Sequence, residues 1–226
     1  MKKYLFTSES VTEGHPDKLC DYISDKLLDE YLKQDKNSRV AIETFATKNR
    51  IIISGEVTSN AKVEIESIVR NVIKEIGYDN EKTDIDYKTC EIDINISSQS
   101  QDISMGVDVG GAGDQGIMFG YACNETESYM PCAIHFAHQL SRKLIEVRKN
   151  GEMPYLRPDG KTQVTVEYED GKPKRIETIL ISTQHLEDID LNKMKVQIIE
   201  KVIKHVIDKK YMDKDTKIYI NPTGRF

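Results

Sequence analysis

Apolar residues in this chain change period in the same order twice, and that repetition restricts the fold more than any single motif does. In the first pass, Leu19, Ile23, Leu27, Leu28, Tyr31 and Leu32 recur at helical spacing over Asp17 to Gln34. Val40, Ile42, Thr44 and Ala46 then alternate, and after Lys48-Asn49 the run Ile51 to Val57 alternates again, which predicts a hairpin. A stripe of Val63, Ile65, Ile68, Val69, Val72, Ile73 and Ile76 ends at Gly77 and predicts a second helix, with Ser59 or Asn60 available to cap it. A polar link from Tyr78 to Thr89 leads to a strand over Glu91 to Ser98, with Ile92, Ile94 and Ile96 facing one way.

In the second pass, Pro131 to Val147 carries Ile134, Ala137, Leu140, Leu144 and Ile145 at helical spacing. Lys161 to Tyr168 and Arg175 to Ser182 read as strands joined at Asp170-Gly171, a strong hairpin signal. Asp190 can cap a helix with Leu191, Met194, Ile198, Ile199, Val202, Ile203 and Val206, and Lys217 to Ile220 closes as a strand. Equivalent elements lie roughly 115 to 130 residues apart, too far for a solenoid repeat. The expected fold is therefore α+β, with repeated helix–hairpin–helix–strand units over residues 1–110 and 111–226, and a short strand at Lys3 to Thr7 ahead of the first. Between the units, Gln99 to Gly116 holds Gly106, Gly110, Gly111, Gly113 and Gly116, a backbone able to move and to approach a ligand closely, as a lid or only a linker.

A net charge of −6 argues against general nucleic-acid or membrane-surface binding, which rests on clustered Lys and Arg. The N-terminal residues lack the apolar core of a secretory signal, and no apolar run reaches membrane-spanning length. Cys20, Cys90, Cys123 and Cys132 have no Cys-x-x-Cys spacing, so they read as reduced packing residues of a cytoplasmic protein rather than zinc ligands.

Chemistry concentrates in Thr7 to Lys18, where Glu9, Glu13, Asp17, His15 and Lys18 crowd around Gly14 and Pro16. Pro16 is suited to the first helical position, which puts His15 at a helix mouth and Asp17 in the first turn. Such a helix end attracts an oxyanion or phosphate, and a carboxylate beside a phosphate makes sense with a divalent cation between them. The plainer alternative leaves Glu9 and Glu13 solvated and Asp17 answering the helix dipole. Glu43 and Glu56, one on each hairpin strand, likewise read from alternation alone as outward polar residues, and Arg157-Pro-Asp-Gly-Lys161 as an ordinary turn. His135 and His138 share a helix face but lack a carboxylate partner string, and read as packing or surface residues.

Five strings decide between these readings. Phe6 to Lys18 (FTSESVTEGHPDK), Gln99-Ser-Gln-Asp-Ile with Gly106-Val-Asp, Gly111 to Ala122 (GAGDQGIMFGYA), Val147 to Thr165 and Ile220 to Phe226 (INPTGRF) occur in one order along the whole chain. Together they resemble the S-adenosylmethionine synthetase (methionine adenosyltransferase) family over the first two-thirds of its length. The resemblance implies a reaction of ATP with L-methionine, in which the thioether sulfur displaces triphosphate from the ribose C5′ and the triphosphate is cleaved to phosphate and pyrophosphate. It implies catalytic roles for His15 and Lys161, ATP contacts from His15, Asp159, Lys161, Arg225 and Phe226, and methionine contacts from Glu56, Gln99 and Asp114. It also implies Mg2+ on Asp17, two such ions per site in the family, K+ on Glu43, and a lid containing Gln99, Gly106, Gly110, Gly111 and Gly113. As partners it implies a homodimer or homotetramer with sites shared between subunits.

The strings depart from the family at Gln101, usually proline, and Met105, usually glutamine, and the loop from Gly110 to Gly113 is a short form. The sequence ends at Phe226, where the family continues into a third unit with a glycine-rich phosphate loop, a further aspartate and several basic residues. The alternative expectation is accordingly an inactive or regulatory relative that folds and oligomerises, or one that hydrolyses triphosphate only.

Overall fold

The computed structural model describes residues 2–79, 85–98 and 115–224. It divides into two compact units, Pro16–Phe119 and a discontinuous one made of Met1–His15 with Gly120–Phe226.

In the Pro16–Phe119 unit, helix α1 (Pro16–Gln34) begins on the proline and buries Leu19, Ile23, Leu27 and Tyr31. Strands β2 (Arg39–Thr47) and β3 (Arg50–Thr58) form the expected hairpin around Lys48 and Asn49, the latter in the left-handed region at φ 51°. Helix α2 (Ile65–Ile76) buries Val69, Val72, Ile73 and Ile76 and stops at Gly77, whose left-handed φ of 108° lets its N–H reach Lys74 O. Strand β4 (Glu91–Ser97) then adds parallel to β3, giving a sheet in the order β2-β3-β4.

The start of α2 differs from expectation. Ser59 and Asn60 lie short of the helix: Ser59 Oγ accepts the Ala61 N–H, and the Asn60 N–H and side-chain amide donate to Asp35 at the end of α1. The Ser59 oxygen is thus taken by Ala61 and the Asn60 side chain is turned to Asp35, so neither caps the helix, which opens at Glu64 without a side-chain cap.

The other unit repeats the scheme. Helix α3 (Cys132–Lys149), strands β5 (Leu156–Glu169) and β6 (Lys172–His185), helix α4 (Leu191–Ile198) and strand β7 (Lys217–Ile220) follow in order. Asp170 and Gly171 turn the hairpin with φ of 49° and 80°, as a tight Asp-Gly turn requires. Asp190 caps α4 by accepting from the Asn192 and Lys193 N–H groups, and the helix runs on through a π-helical turn, Ile199–Ile203. As in the first unit, the closing strand pairs parallel to the second strand of an antiparallel hairpin.

Strand β1 (Lys3–Val11) is longer than expected and pairs antiparallel with β5 along its whole length, so this sheet has the order β1-β5-β6-β7. The chain thus starts in one compact unit, builds the other, and returns. No helix among the described residues is long and apolar enough to cross a membrane.

Each unit has its own apolar core. One gathers Leu19, Ile23, Ile51, Ile53, Ile73 and neighbours; the other gathers Leu140, Met153, Val164, Ile179, Ile181, Val202 and theirs. All four cysteines are free thiols. Burial pushes the Cys90 thiol up, and burial with Glu125 and Cys123 nearby pushes Cys132 up to about 12. The thiolate is the reactive form, so at pH 8 Cys132 should hold about a thousandfold less of it than an ordinary thiol. In a thiol-labelling time course on the native chain, Cys132 is expected to remain unmodified until denaturant is added; labelling at the rate of Cys123 would contradict the burial.

Candidate functional site

The stretch leading to His15 is laid against the strand that carries Asp159 and Lys161. The β1–β5 ladder ends at Val11 opposite Lys161. Thr12, only 4% exposed, continues the contact: its N–H donates to Gly160 O at 2.9 Å, and its hydroxyl reaches Pro158 O at 2.6 Å and Gly160 O at 3.2 Å. The Gly14 N–H donates to Pro158 O at 3.2 Å, and the His15 N–H returns to Thr12 O at 3.1 Å, a tight turn just before α1. The approach at Gly14 leaves no room for a side chain, since a Cβ there would lie 2.4 Å from both the carbonyl carbon and the Cβ of Pro158.

Residues 157–161 are therefore not a free turn, contrary to the plainer reading of Arg-Pro-Asp-Gly-Lys. They belong to β5, and the β5–β6 register shifts between Leu156 and Gly160, so Arg157, Pro158 and Asp159 bulge from the ladder. Along this stretch Pro158, Gly160 and Thr162 are buried, while Asp159 and Lys161 are half-buried between them. The Thr162 hydroxyl points into α3, bonding Ala137 O at 2.7 Å and Ser141 Oγ at 2.8 Å. Lys161 turns the other way, and its Nζ meets Glu9 Oε1 at 2.7 Å.

Neither Glu9 nor Glu13 is simply solvated. Glu13 is held by Lys149 at 2.8 Å and by Arg148, both at the end of α3. Four hydrogen bonds from Thr12 and Gly14 to β5 and one ion-pair cluster on α3 thus fix the four residues before His15. On the α3 face the sequence read as packing or surface, exposed His138 has its Nδ1 2.8 Å from Ser10 Oγ, and half-buried His135 has its Nδ1 2.7 Å from Ser128 Oγ.

In the Pro16–Phe119 unit, Asp17 is exposed in the first turn of α1. Glu43 lies opposite Ser54 and Glu56 opposite Ala41, so the two glutamates share one face of the sheet on a diagonal. Phe45, 60% exposed, and Ile52 stand on the same face. Gly55, at φ 152°, keeps Glu56 in this register, because a Cβ there would lie 2.0 Å from Ala41 O. Among the described residues no three His, Cys, Asp or Glu gather into a metal-binding group. Gln99, Gly106, Gly110, Gly111, Gly113, Asp114, Arg225 and Phe226 lie outside the described residues, as do Gln101 and Met105.

Thr12 and Arg148 are the parts that sequence reasoning missed. A threonine among charged residues carries no periodic signal, and the partner carbonyls of Thr12 belong to residues about 146 positions away.

Two family profiles cover nearly the whole chain: residues 3–101 match "S-adenosylmethionine synthetase, N-terminal domain" and residues 109–226 match "S-adenosylmethionine synthetase, central domain". The chain belongs to the S-adenosylmethionine synthetase family. It is 56% identical over 236 residues to the S-adenosylmethionine synthase of Clostridium tetani, which takes in 98% of this chain and 60% of that protein. It is 53% identical over 238 residues to that of Clostridium botulinum, with 99% and 61% covered, and 53% identical over 232 residues to that of Desulfosudis oleivorans, with 100% and 60% covered. The chain spans about 60% of the length of these curated relatives. Within the S-adenosylmethionine synthetase pattern, β1 lies in the stretch matched by the N-terminal profile yet pairs with β5, in the stretch matched by the central one.

Proposed function

We propose that this chain carries ATP- and methionine-handling residues of a methionine adenosyltransferase, which forms S-adenosylmethionine, phosphate and pyrophosphate from ATP, L-methionine and water. The observation that carries the reading is the fixed loop at Thr12–His15: it presents a histidine at the start of a helix and ties it to the strand bearing Asp159 and Lys161. The attacking thioether is neutral and has no proton to give up, so the first step needs no general base. It needs alignment and a positive environment for the departing triphosphate. His15 as hydrogen-bond donor and Lys161 as a point charge are suited to that anion. In the same reading Asp159, Arg225 and Phe226 hold the nucleotide, and Glu56, Gln99 and Asp114 hold methionine.

Asp17 and Glu43 are exposed carboxylates, a donor type that suits hard cations, with Asp17 the ligand for Mg2+ and Glu43 for K+. Mg2+ keeps water and substrate phosphates in its shell, so a single protein carboxylate can serve as its anchor. When bound, Mg2+ would offset phosphate charge. A homodimer or homotetramer with shared sites belongs to the same reading, supported by the exposed apolar side chains Phe45, Ile117, Met118 and Phe119. A cytoplasmic location goes with it.

The test is product formation from ATP and L-methionine with Mg2+ and K+, scoring sulfonium product and phosphate separately. Sulfonium product is expected, with the His15→Ala rate lower by roughly 10- to 100-fold, the effect of losing one hydrogen bond to a charged group. Phosphate without sulfonium would replace this reading with triphosphate hydrolysis alone, and neither product would leave an assembly or regulatory role.

A further inference from the structure

We propose that Thr12 is a positioning residue, whose hydroxyl locks the segment ending in His15 to the bulge carrying Asp159, so that both segments meet a nucleotide as one rigid body. The proposal rests on the functional reading above but is carried by separate geometry. A bulge leaves part of a strand outside its ladder, and its conformation then depends on whatever hydrogen-bonds it from elsewhere. Here the β5–β6 register skips Arg157, Pro158 and Asp159, and the β1–β5 ladder ends at Lys161.

The hydrogen bonds to the bulge come from the residues before His15. Pro158 O accepts the Thr12 hydroxyl at 2.6 Å and the Gly14 N–H at 3.2 Å, and Gly160 O accepts the Thr12 N–H at 2.9 Å. The hydroxyl bond is the shortest of the three. The Thr12 methyl packs on the same stretch, Cγ2 lying 3.3 Å from where a Gly160 Cβ would stand. Serine would keep the bond and lose the packing; valine would keep the shape and lose the bond. A buried carbonyl that loses its best donor is costly enough to reshape a bulge.

Both Asp159 and Lys161 lie within three residues of Pro158, so a shift there moves the groups proposed to hold the nucleotide. Nothing in the sequence marks Thr12 for this task. A hydroxyl with no place in the proposed chemistry would nevertheless set the affinity for nucleotide.

The experiment compares wild type, Thr12→Val, Thr12→Ser and the core variant Ile203→Val in three readouts: thermal midpoint, hydrogen exchange by peptide, and binding of Mg-ATP by calorimetry. In Thr12→Val, exchange is expected to quicken at least tenfold in both residues 12–16 and residues 157–161, with Mg-ATP binding at least fivefold weaker. Thr12→Ser should restore both. Ile203→Val, buried in the same core and not a partner of Thr12 or the bulge, controls for general destabilisation and should leave both unchanged. Wild-type exchange in either segment of Thr12→Val, or wild-type nucleotide affinity in that variant, would overturn the proposal. If wild type itself binds no Mg-ATP, the functional reading fails for this chain. The exchange comparison then decides the positioning role alone: joint loosening supports it, and loosening of one segment without the other overturns it.

Discussion

Gly14→Ala is expected to lower the thermal midpoint by roughly 5–12 °C and, under the proposed function, to abolish measurable Mg-nucleotide binding, although no charge and no proposed contact is altered. The added methyl would sit 2.4 Å from Pro158 C and Cβ and 2.6 Å from Pro158 O, against an optimal carbon separation of about 3.5–4.0 Å. Pro158 cannot rotate out of the way, because the atoms concerned are backbone and the base of a ring. The loop before His15 must lift by about an ångström instead, which strains it by roughly 1–3 kcal/mol as overpacking does. Lifting also stretches the Gly14 N–H bond to Pro158 O beyond its present 3.2 Å, at a further cost of about 1 kcal/mol. His15 follows directly in the chain and moves with it. Differential scanning calorimetry with and without Mg-ATP separates the two effects. An unchanged midpoint with intact binding would mean that the loop has room the geometry denies it.

The two outcomes differ in kind from a core substitution. A cavity in the Leu140–Ile181 core would reduce stability and leave the loop in place. At Gly14 the packing defect lies in the segment proposed to bear the chemistry, so stability and affinity should fall together.

Local signals in the sequence were sufficient for most of the fold. Pro16 marks the start of α1, Gly77 ends α2, Asp170-Gly171 turns the β5–β6 hairpin and Asp190 caps α4, each through chemistry within a few residues. The motif stretch also placed His15 and Asp17 correctly along the chain, at the mouth and in the first turn of a helix. What remained hidden is non-local. The pairing of β1 with β5 joins residues about 150 or more positions apart, and a period-2 pattern states that a strand exists without naming its partner. The turn-like composition of Arg157-Pro-Asp-Gly misleads for the same reason: a bulge uses the residues that a turn uses, and only hydrogen bonds from Thr12 and Gly14 distinguish them. The early start expected for α2 failed because Asp35, some 25 residues back, binds Asn60. Glu9 and Glu13 look alike as solvated carboxylates until the fold brings Lys161, Arg148 and Lys149 to them.

That last contrast leads to opposite effects at two ends of one ion pair. Under the proposed function, Lys161→Ala is expected to reduce S-adenosylmethionine formation by roughly 100- to 1,000-fold, the scale set by removal of one preorganised group facing developing charge. Glu9→Gln is expected to act in the other direction on ground-state binding. Glu9 meets Lys161 at 2.7 Å, with about half of its side chain exposed, so a polyphosphate approaching Lys161 must compete with a carboxylate already there. An exposed pair of this type is worth about 0–1 kcal/mol, so its removal should tighten inorganic tripolyphosphate binding by at most about fivefold. Salt provides the third leg of the test. Raising ionic strength screens exposed charges, so the advantage of Glu9→Gln over wild type should shrink between low salt and 0.5 M salt, while the Lys161→Ala defect persists. Weaker tripolyphosphate binding in Glu9→Gln would show that the carboxylate holds the ammonium ready for the anion instead of competing for it, and the sign of that one change distinguishes a rival from a guide.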